Sequence, residues 1–196
     1  MVALTSKLGI VADCFPDPNG EPRLDRLKSA NDELFKMIRS SRVFPTSGAI
    51  RLLDIGAGYK GSDFVNRYGA EFPETRIVYL DLSRNLLKEL NKPNKISADA
   101  ANLPFPDESF DIAYAGSIIS EGVVKNNQFT RDESYRIAKE GHRVINNNGL
   151  FIFTYVIGDV QQTLDNLSEI GFRDLEHLQR INWYGGMPTD TYVALK

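Results

Sequence analysis

A single cysteine, Cys14, stands in 196 residues. One thiol can close neither an intramolecular disulfide nor a multi-cysteine zinc site. Histidine is nearly as scarce: His142 and His177 are the two in the chain, and their spacing makes no metal-ligand pattern. Metal ligation is therefore not expected. Each histidine reads more readily as a packing or surface residue than as a catalytic one. No apolar run approaches the ~20 residues of a membrane span. The longest early stretch, 8–12, is stopped by Asp13, so no signal peptide is expected and the expected location is cytoplasmic. Neither sign of charge dominates, with 23 Lys and Arg against 26 Asp and Glu and a net charge of −3. That balance disfavours nucleic acid or an anionic membrane as the partner.

What is present is ordinary globular composition, 42% hydrophobic, in a length suited to one domain with a full core. Residues 16–22 carry two prolines and a glycine and set off an N-terminal arm. Over 22–42, Leu24, Leu27, Leu34, Met37 and Ile38 recur near helical spacing between charged residues, the pattern of an amphipathic helix packed on a core. After Pro45 apolar runs alternate with helical segments. Strands are expected over 49–55, 76–80, 95–98, 110–119 and 149–156, and helices over 63–72, 83–90, 131–145 and 160–170. The last helix stops at Gly171, as a glycine C-cap would have it. Two more strands, 174–181 and 189–194, are joined by a Gly-Gly turn and must pair antiparallel. The expected fold is α/β: a doubly wound, Rossmann-like, seven-stranded, mostly parallel sheet closed by an antiparallel hairpin. Ligands of such sheets bind beyond the carboxyl ends of the strands, where strand order reverses.

The loop after the first core strand reads Asp54-Ile55-Gly56-Ala57-Gly58-Tyr59-Lys60-Gly61. Its glycines let the backbone turn sharply and approach a ligand. Gly56, Gly58 and Gly61 fit the dinucleotide fingerprint, with Asp81 twenty residues further on, so a nicotinamide-dependent oxidoreductase is one reading. Asp54 argues against it, because a carboxylate ending the first strand would repel a pyrophosphate and favour a cationic amino group. Asp81 ends the second strand, where a carboxylate accepts hydrogen bonds from both ribose hydroxyls. Asp99 follows the third strand, placed to accept from an adenine amino group. Ammonium, ribose and adenine partners together suit S-adenosylmethionine better than NAD.

On these residues the chain resembles the class I S-adenosylmethionine-dependent methyltransferases of the type 11 kind. LLDIGAGYKG is similar to their first motif, VYLDLS to the acidic end of their second strand, and ADAANLPFPDESFDIAYA to the stretch leading into the fourth. EGHRVINNNGLFIF is similar to the helix, turn and strand that follow, with Asn146-Asn147-Asn148-Gly149 where Lys-Pro-Gly-Gly is common. The third glycine falls at 61, and position 60 is Lys. The resemblance implies that Asp54, Gly56, Ala57 and Gly58 lie along the methionine portion of the cofactor, and that Asp81 holds the ribose. It also implies Leu82 beside the adenine, Asp99 and Ala100 at its edge, and Ala115 near the methionine side.

The implied activity is methyl transfer to a small-molecule acceptor by in-line displacement, with a homodimer compatible. The chain has no Asp/Asn-Pro-Pro-aromatic motif after the fourth strand, which disfavours a nucleobase amine as acceptor. Glu121 and Tyr155 are candidates for a catalytic role, and Tyr114 for lining the pocket or holding a cation. Ile118-Ile119-Ser120-Glu121 lacks the histidine often found there, so a non-catalytic, cofactor-binding partner or regulatory subunit stays open as an alternative. Residues 49–196 are expected to form the core. That leaves 1–48 as an arm and lid helix, and loops near 121–130, 156–159 and 183–188 to shape the acceptor site.

Overall fold

The computed structural model describes residues 50–119, 131–155, 160–183 and 187–196, together with Phe35, Lys36 and Arg39. Seven strands run in the order β3-β2-β1-β4-β5-β7-β6. They are β1 (Arg51–Ile55), β2 (Arg76–Asp81), β3 (Lys95–Ser97), β4 (Phe110–Ile119), β5 (Ile145–Tyr155), β6 (Arg173–Trp183) and β7 (Met187–Leu195). The first five pair in parallel, and β7 runs antiparallel to both β5 and β6. The expected α/β sheet with its closing hairpin is therefore the observed one. Among the described residues from 50 onward, the helices α1 (Asp63–Glu71), α2 (Arg84–Glu89), α3 (Arg131–Val144) and α4 (Val160–Ile170) complete it.

The apolar runs of β1 and β5 are continuous because both faces of the sheet are covered, and the strand period of two sorts them. Leu52, Ile112, Leu150 and Ile152 point to one face, where they meet Phe64, Val65 and Tyr68 of α1 and Leu87 of α2. Leu53, Ala113, Phe151 and Phe153 point to the other, against Ile137 and Ala138 of α3 and Leu167 of α4. Strand order reverses at β1, whose neighbours are β2 on one side and β4 on the other. The crevice beyond their carboxyl ends is the place for a ligand.

The structure moves several boundaries. Strand β3 ends at Ser97, one residue short of expectation, while α3 stops at Val144 and β5 starts at once at Ile145. The ladder explains this: Phe110 pairs with Ile145 and Ile112 with Leu150, so residues 146–149 bulge out of an otherwise continuous strand. Asn148 supplies the left-handed turn there, with φ of 69°. Strands β6 and β7 are longer than expected, because pairing with each other carries them to Trp183 and Met187. Helix α4 ends as expected: Gly171 has φ of 113°, its N–H donates to Ser168 O, and the Phe172 N–H donates to Leu167 O, a Schellman closure.

The helix expected over 22–42 lies outside the described residues apart from three helical positions. Phe35 is buried against Phe64 with ring centroids 5.7 Å apart, and the Arg67 guanidinium sits 4.4 Å from its ring. Arg39 forms an ion pair with Glu71. Phe35, which is not part of the expected apolar stripe, docks on α1. His142 is half-buried, packed edge-on against Phe172 at 4.8 Å, in agreement with a packing role. Burial is the main influence holding its pKa below the usual histidine value.

Candidate cofactor site

Three carboxylates stand at or just past the ends of three adjacent parallel strands, and their surroundings differ. Asp54, four residues into β1, is fully buried. Its Oδ2 accepts the Ser62 N–H at 2.8 Å and its Oδ1 the Ser62 hydroxyl at 2.5 Å. Ser62 is the N-cap of α1, but its side chain makes no capping bond, because the hydroxyl is spent on Asp54 instead. Asp54 thus sits beneath the glycine loop as its anchor, near a helix N-terminus whose dipole favours a negative charge. Sequence reasoning missed Ser62. A serine preceding a helix reads as a cap, and nothing local shows that its partner lies eight residues back.

Burial pushes the Asp54 carboxyl up from its ordinary 3.8 to about 6, against the two Ser62 hydrogen bonds and with a further push from the Asp81 charge. The folded protein therefore holds this proton more tightly than the unfolded chain. The contribution is favourable below about pH 4 and is lost as pH rises through 6. Two pKa units amount to about 3 kcal/mol. Relative to Asp54→Asn, the wild type is expected to lose about that much stability between pH 4 and pH 7, read from urea midpoints at the two pH values. Parallel pH dependences in the two proteins would rule this out.

Between Asp54 and Ser62 the loop folds back on β2. The N–H groups of Gly56 and Ala57 both donate to Leu80 O, at 2.8 and 3.0 Å, and the Gly61 N–H donates to Ala57 O at 2.9 Å. All three glycines have positive φ, and Gly61 carries 74° at the position after Lys60. The displaced third glycine of the motif therefore still provides a left-handed residue, one place later. A Cβ on Gly61 would lie 2.8 Å from the Tyr79 ring, whereas one on Gly58 would meet nothing within 4 Å. The loop is tight on its inner side and open above Gly58. At its tip Tyr59 is 44% exposed, with the Lys60 ammonium 5.1 Å over its ring.

Asp81 ends β2, half-buried. Its Oδ2 accepts the Gly58 N–H at 2.9 Å and its Oδ1 the Ser83 N–H at 2.7 Å. Each oxygen keeps a second lone pair. Leu82 beside it is 50% exposed, a large apolar surface facing solvent next to a carboxylate. The exits of β2 and β3 are tied together, with the Ala98 N–H donating to Asp81 O at 3.1 Å and the Ser97 hydroxyl to Leu82 O at 3.3 Å. Asp99 is exposed and accepts the Ala101 N–H at 2.8 Å. Ala100 is half-buried against the core. Asp81, Leu82, Gly58, Asp99 and Ala100 thus lie on one rim formed by the ends of β1, β2 and β3.

The remaining candidates are placed differently. Ala115 is fully buried, paired across the sheet with Ile55 and Phe153, so its side chain belongs to the core. Just beyond it the β4–β5 ladder slips, a bulge at the carboxyl end of the strand next to the crevice. Tyr114 is buried, stacked on Phe64 at 4.9 Å, with its phenol bonded to Thr154 and held far above its usual pKa by burial. That is a packing position. Tyr155 ends β5, with its side chain outside the described set. Glu121 also lies outside the described residues, as do loops 121–130 and 156–159. These residues fit an adenosyl group: the backbone at Gly58 leaves open space, Asp81 keeps a second lone pair on each oxygen, and Leu82 exposes an apolar side chain beside it.

Comparison with known proteins agrees. The model of a methyltransferase domain, the type 11 family, matches residues 53–153, which include Asp54, Asp81, Asp99 and the whole glycine loop. Demethylmenaquinone methyltransferase of Clavibacter sepedonicus is 31% identical over 150 residues, covering 72% of this chain and 59% of that protein. Malonyl-[acyl-carrier protein] O-methyltransferase of Legionella pneumophila is 27% identical over 134 residues, covering 65% of this chain and 42% of that one. The chain spans about half the length of these curated relatives. Among solved structures, a SAM-dependent methyltransferase of Thermotoga maritima, described as a possible histamine N-methyltransferase, superposes with a TM-score of 0.61. It is 16% identical and covers 100% of both chains, a likeness of fold. No helix among the described residues is long and apolar enough to cross a membrane. The family match over half the chain, on a sheet of this order with these acids at its strand ends, decides against a nicotinamide fingerprint: the chain belongs to the type 11 family of class I S-adenosylmethionine-dependent methyltransferases.

Proposed function

We propose that this chain holds S-adenosylmethionine across the carboxyl ends of β1, β2 and β3 and transfers its methyl group to a small organic acceptor. The observation that carries the reading is Asp81, with lone pairs to spare on both oxygens, set between the open backbone of Gly58 and the exposed side chain of Leu82. In this reading Asp81 accepts the ribose hydroxyls, Leu82 covers a face of the adenine, and Asp99 and Ala100 meet its edge. Gly56, Ala57 and Gly58 give the methionine portion close access to the backbone. Asp54 supplies negative potential from below while holding the loop in shape through Ser62. Ala115 contributes through the backbone beside the β4 bulge.

When bound, the cofactor supplies a methyl group on a positively charged sulfur, a carbon already activated for displacement. The protein's task is then alignment and exclusion of water, and positioning alone supplies roughly 7–11 kcal/mol of such a barrier. A general base is needed only for an acceptor protonated at working pH, and Glu121 and Tyr155 are the residues proposed for it. Two features support a small acceptor. One relative is named for demethylmenaquinone and the other for a malonyl group on an acyl-carrier protein, so the named acceptor group is a small organic one in both although the second is carried on a protein. A net charge of −3 gives no field for a nucleic-acid strand. Residues 1–48 and the segments 121–130, 156–159 and 183–188 are proposed to enclose the acceptor.

Titration calorimetry tests the cofactor half. S-adenosylhomocysteine is expected to bind with one-to-one stoichiometry while NADH gives no heat, and the opposite result would reject the reading. Transfer of a labelled methyl group to a panel of quinols and carboxylic acids then tests the acceptor half.

A further inference from the structure

On the outer edge of the sheet, away from the crevice, α1, the start of β2 and the turn before β3 enclose a half-open cleft of about 470 Å³. That volume lies in the range of small-molecule sites. Its polar lining is of one kind: Arg76 and Lys92 bring two cations, Asn66 and Asn94 two amides, and Thr75 and Tyr79 two hydroxyls, with no carboxylate among the lining residues. Neither Arg76 nor Lys92 makes a side-chain ion pair or hydrogen bond among the described residues. The Thr75 hydroxyl is buried without a hydrogen-bond partner, a condition native proteins seldom leave uncompensated. Ile77 provides an apolar floor.

Two of these residues also brace the glycine loop. Asn66 Nδ2 donates to Lys60 O at 3.0 Å and to Gly61 O at 3.3 Å, and its Oδ1 accepts from the Tyr79 hydroxyl at 3.4 Å. The Tyr79 ring lies 2.8 Å from the place a Gly61 Cβ would take. On the far side of that loop, the Gly58 N–H is held by Asp81.

We infer that this cleft binds a small anion, a carboxylate or phosphate group carried on a compact molecule, and that filling it tightens cofactor binding by fixing the Asn66–Tyr79 brace of the glycine loop. Two cations without partners among the described residues attract an anion in a concave site, and the Thr75 hydroxyl, with the Asn94 amide hydrogen not donated to Ile77 O, gives it directed donors. The coupling is reciprocal, so cofactor must tighten the anion equally. The anion-binding half stands on the cleft alone, while the coupling half rests on the cofactor reading above.

Backbone amide NMR of the full chain separates the two halves. Titration with inorganic phosphate, and separately with acetate, against chloride at matched ionic strength, is expected to shift the amides of Thr75, Arg76 and Asn94 saturably. The anion that saturates at lower concentration identifies the headgroup. Arg76→Gln with Lys92→Gln should weaken that binding at least tenfold, and Ala70→Phe, which fills the cleft without touching a charge, should abolish it. Calorimetry with S-adenosylhomocysteine should then show about fivefold tighter binding in saturating anion, at the low end of usual couplings. This gain should vanish in both variants while affinity without anion stays that of wild type. Shifts no larger than those in chloride, or shifts that survive both variants, would overturn the site. Saturable shifts with unchanged cofactor affinity would overturn the coupling.

Discussion

Asp81→Ala is expected to weaken S-adenosylhomocysteine binding at least about 100-fold, roughly 3 kcal/mol, as measured by calorimetry. In the proposed complex, two hydrogen bonds to a charged acceptor are lost, each worth about 1.5–3 kcal/mol. The substitution also releases the Gly58 N–H at 2.9 Å and the Ser83 N–H at 2.7 Å, so the glycine loop and the start of α2 lose their shared anchor. Asp81→Asn keeps the shape and one acceptor oxygen but not the charge, and should lose about tenfold. Thermal unfolding distinguishes a site effect from a folding effect. Asp81 is only half-buried, so the alanine variant should remain folded and be less stable by about 1 kcal/mol. A dissociation constant within threefold of wild type in Asp81→Ala would reject the ribose assignment.

Arg143→Ala is expected to cost about 3 kcal/mol of stability, in the manner of a partly buried charge network with one member removed. From the last turn of α3 the guanidinium reaches Phe105 O at 2.8 Å and Leu103 O at 3.0 Å. It also reaches Asp107 Oδ1 at 2.8 Å and both oxygens of Glu140 at 2.8 and 2.7 Å. Glu140 in turn accepts the Leu103 N–H at 2.7 Å. Together they clamp residues 103–107, the segment that leads from Asp99 and Ala100 into β4. Arg143→Lys should recover less than half of the loss, because one ammonium cannot replace a planar fork with several acceptors. The hydrogen bond from Arg143 is the main influence holding the Glu140 carboxyl below its ordinary value. Its contribution is therefore complete at neutral pH and is lost as pH falls below the usual glutamate range. Urea midpoints between pH 7 and pH 3.5 should fall less steeply in Arg143→Ala than in wild type.

How much of this was legible beforehand differs from residue to residue. The turn at Asn146–Gly149 was readable, because asparagine tolerates the left-handed region and Asn148 occupies it. That the same four residues would bulge from a strand already begun at Ile145 was not readable, since it depends on Phe110 pairing across the sheet. The Gly171 cap is local and legible in the sequence. Phe35 is not legible in the same way, because its place depends on Phe64 and Arg67 of a helix some thirty positions away. Asn66 and Tyr79 carry no motif, and their role as a brace appears only when α1 lies over β2.

The sequence by itself determined the order of strands and helices, the glycine loop and the placing of an acid at each of three strand ends. Those features follow from periodicity, backbone preference and position along the chain, which are local properties. Only the tertiary structure decided what each acid does. Asp54, Asp81 and Asp99 are one residue type at comparable positions. One is buried on Ser62, one bridges Gly58 and Ser83 with lone pairs left over, and one faces solvent. The difference lies in burial and in partners brought by other segments, and a carboxylate's chemistry is set by those surroundings.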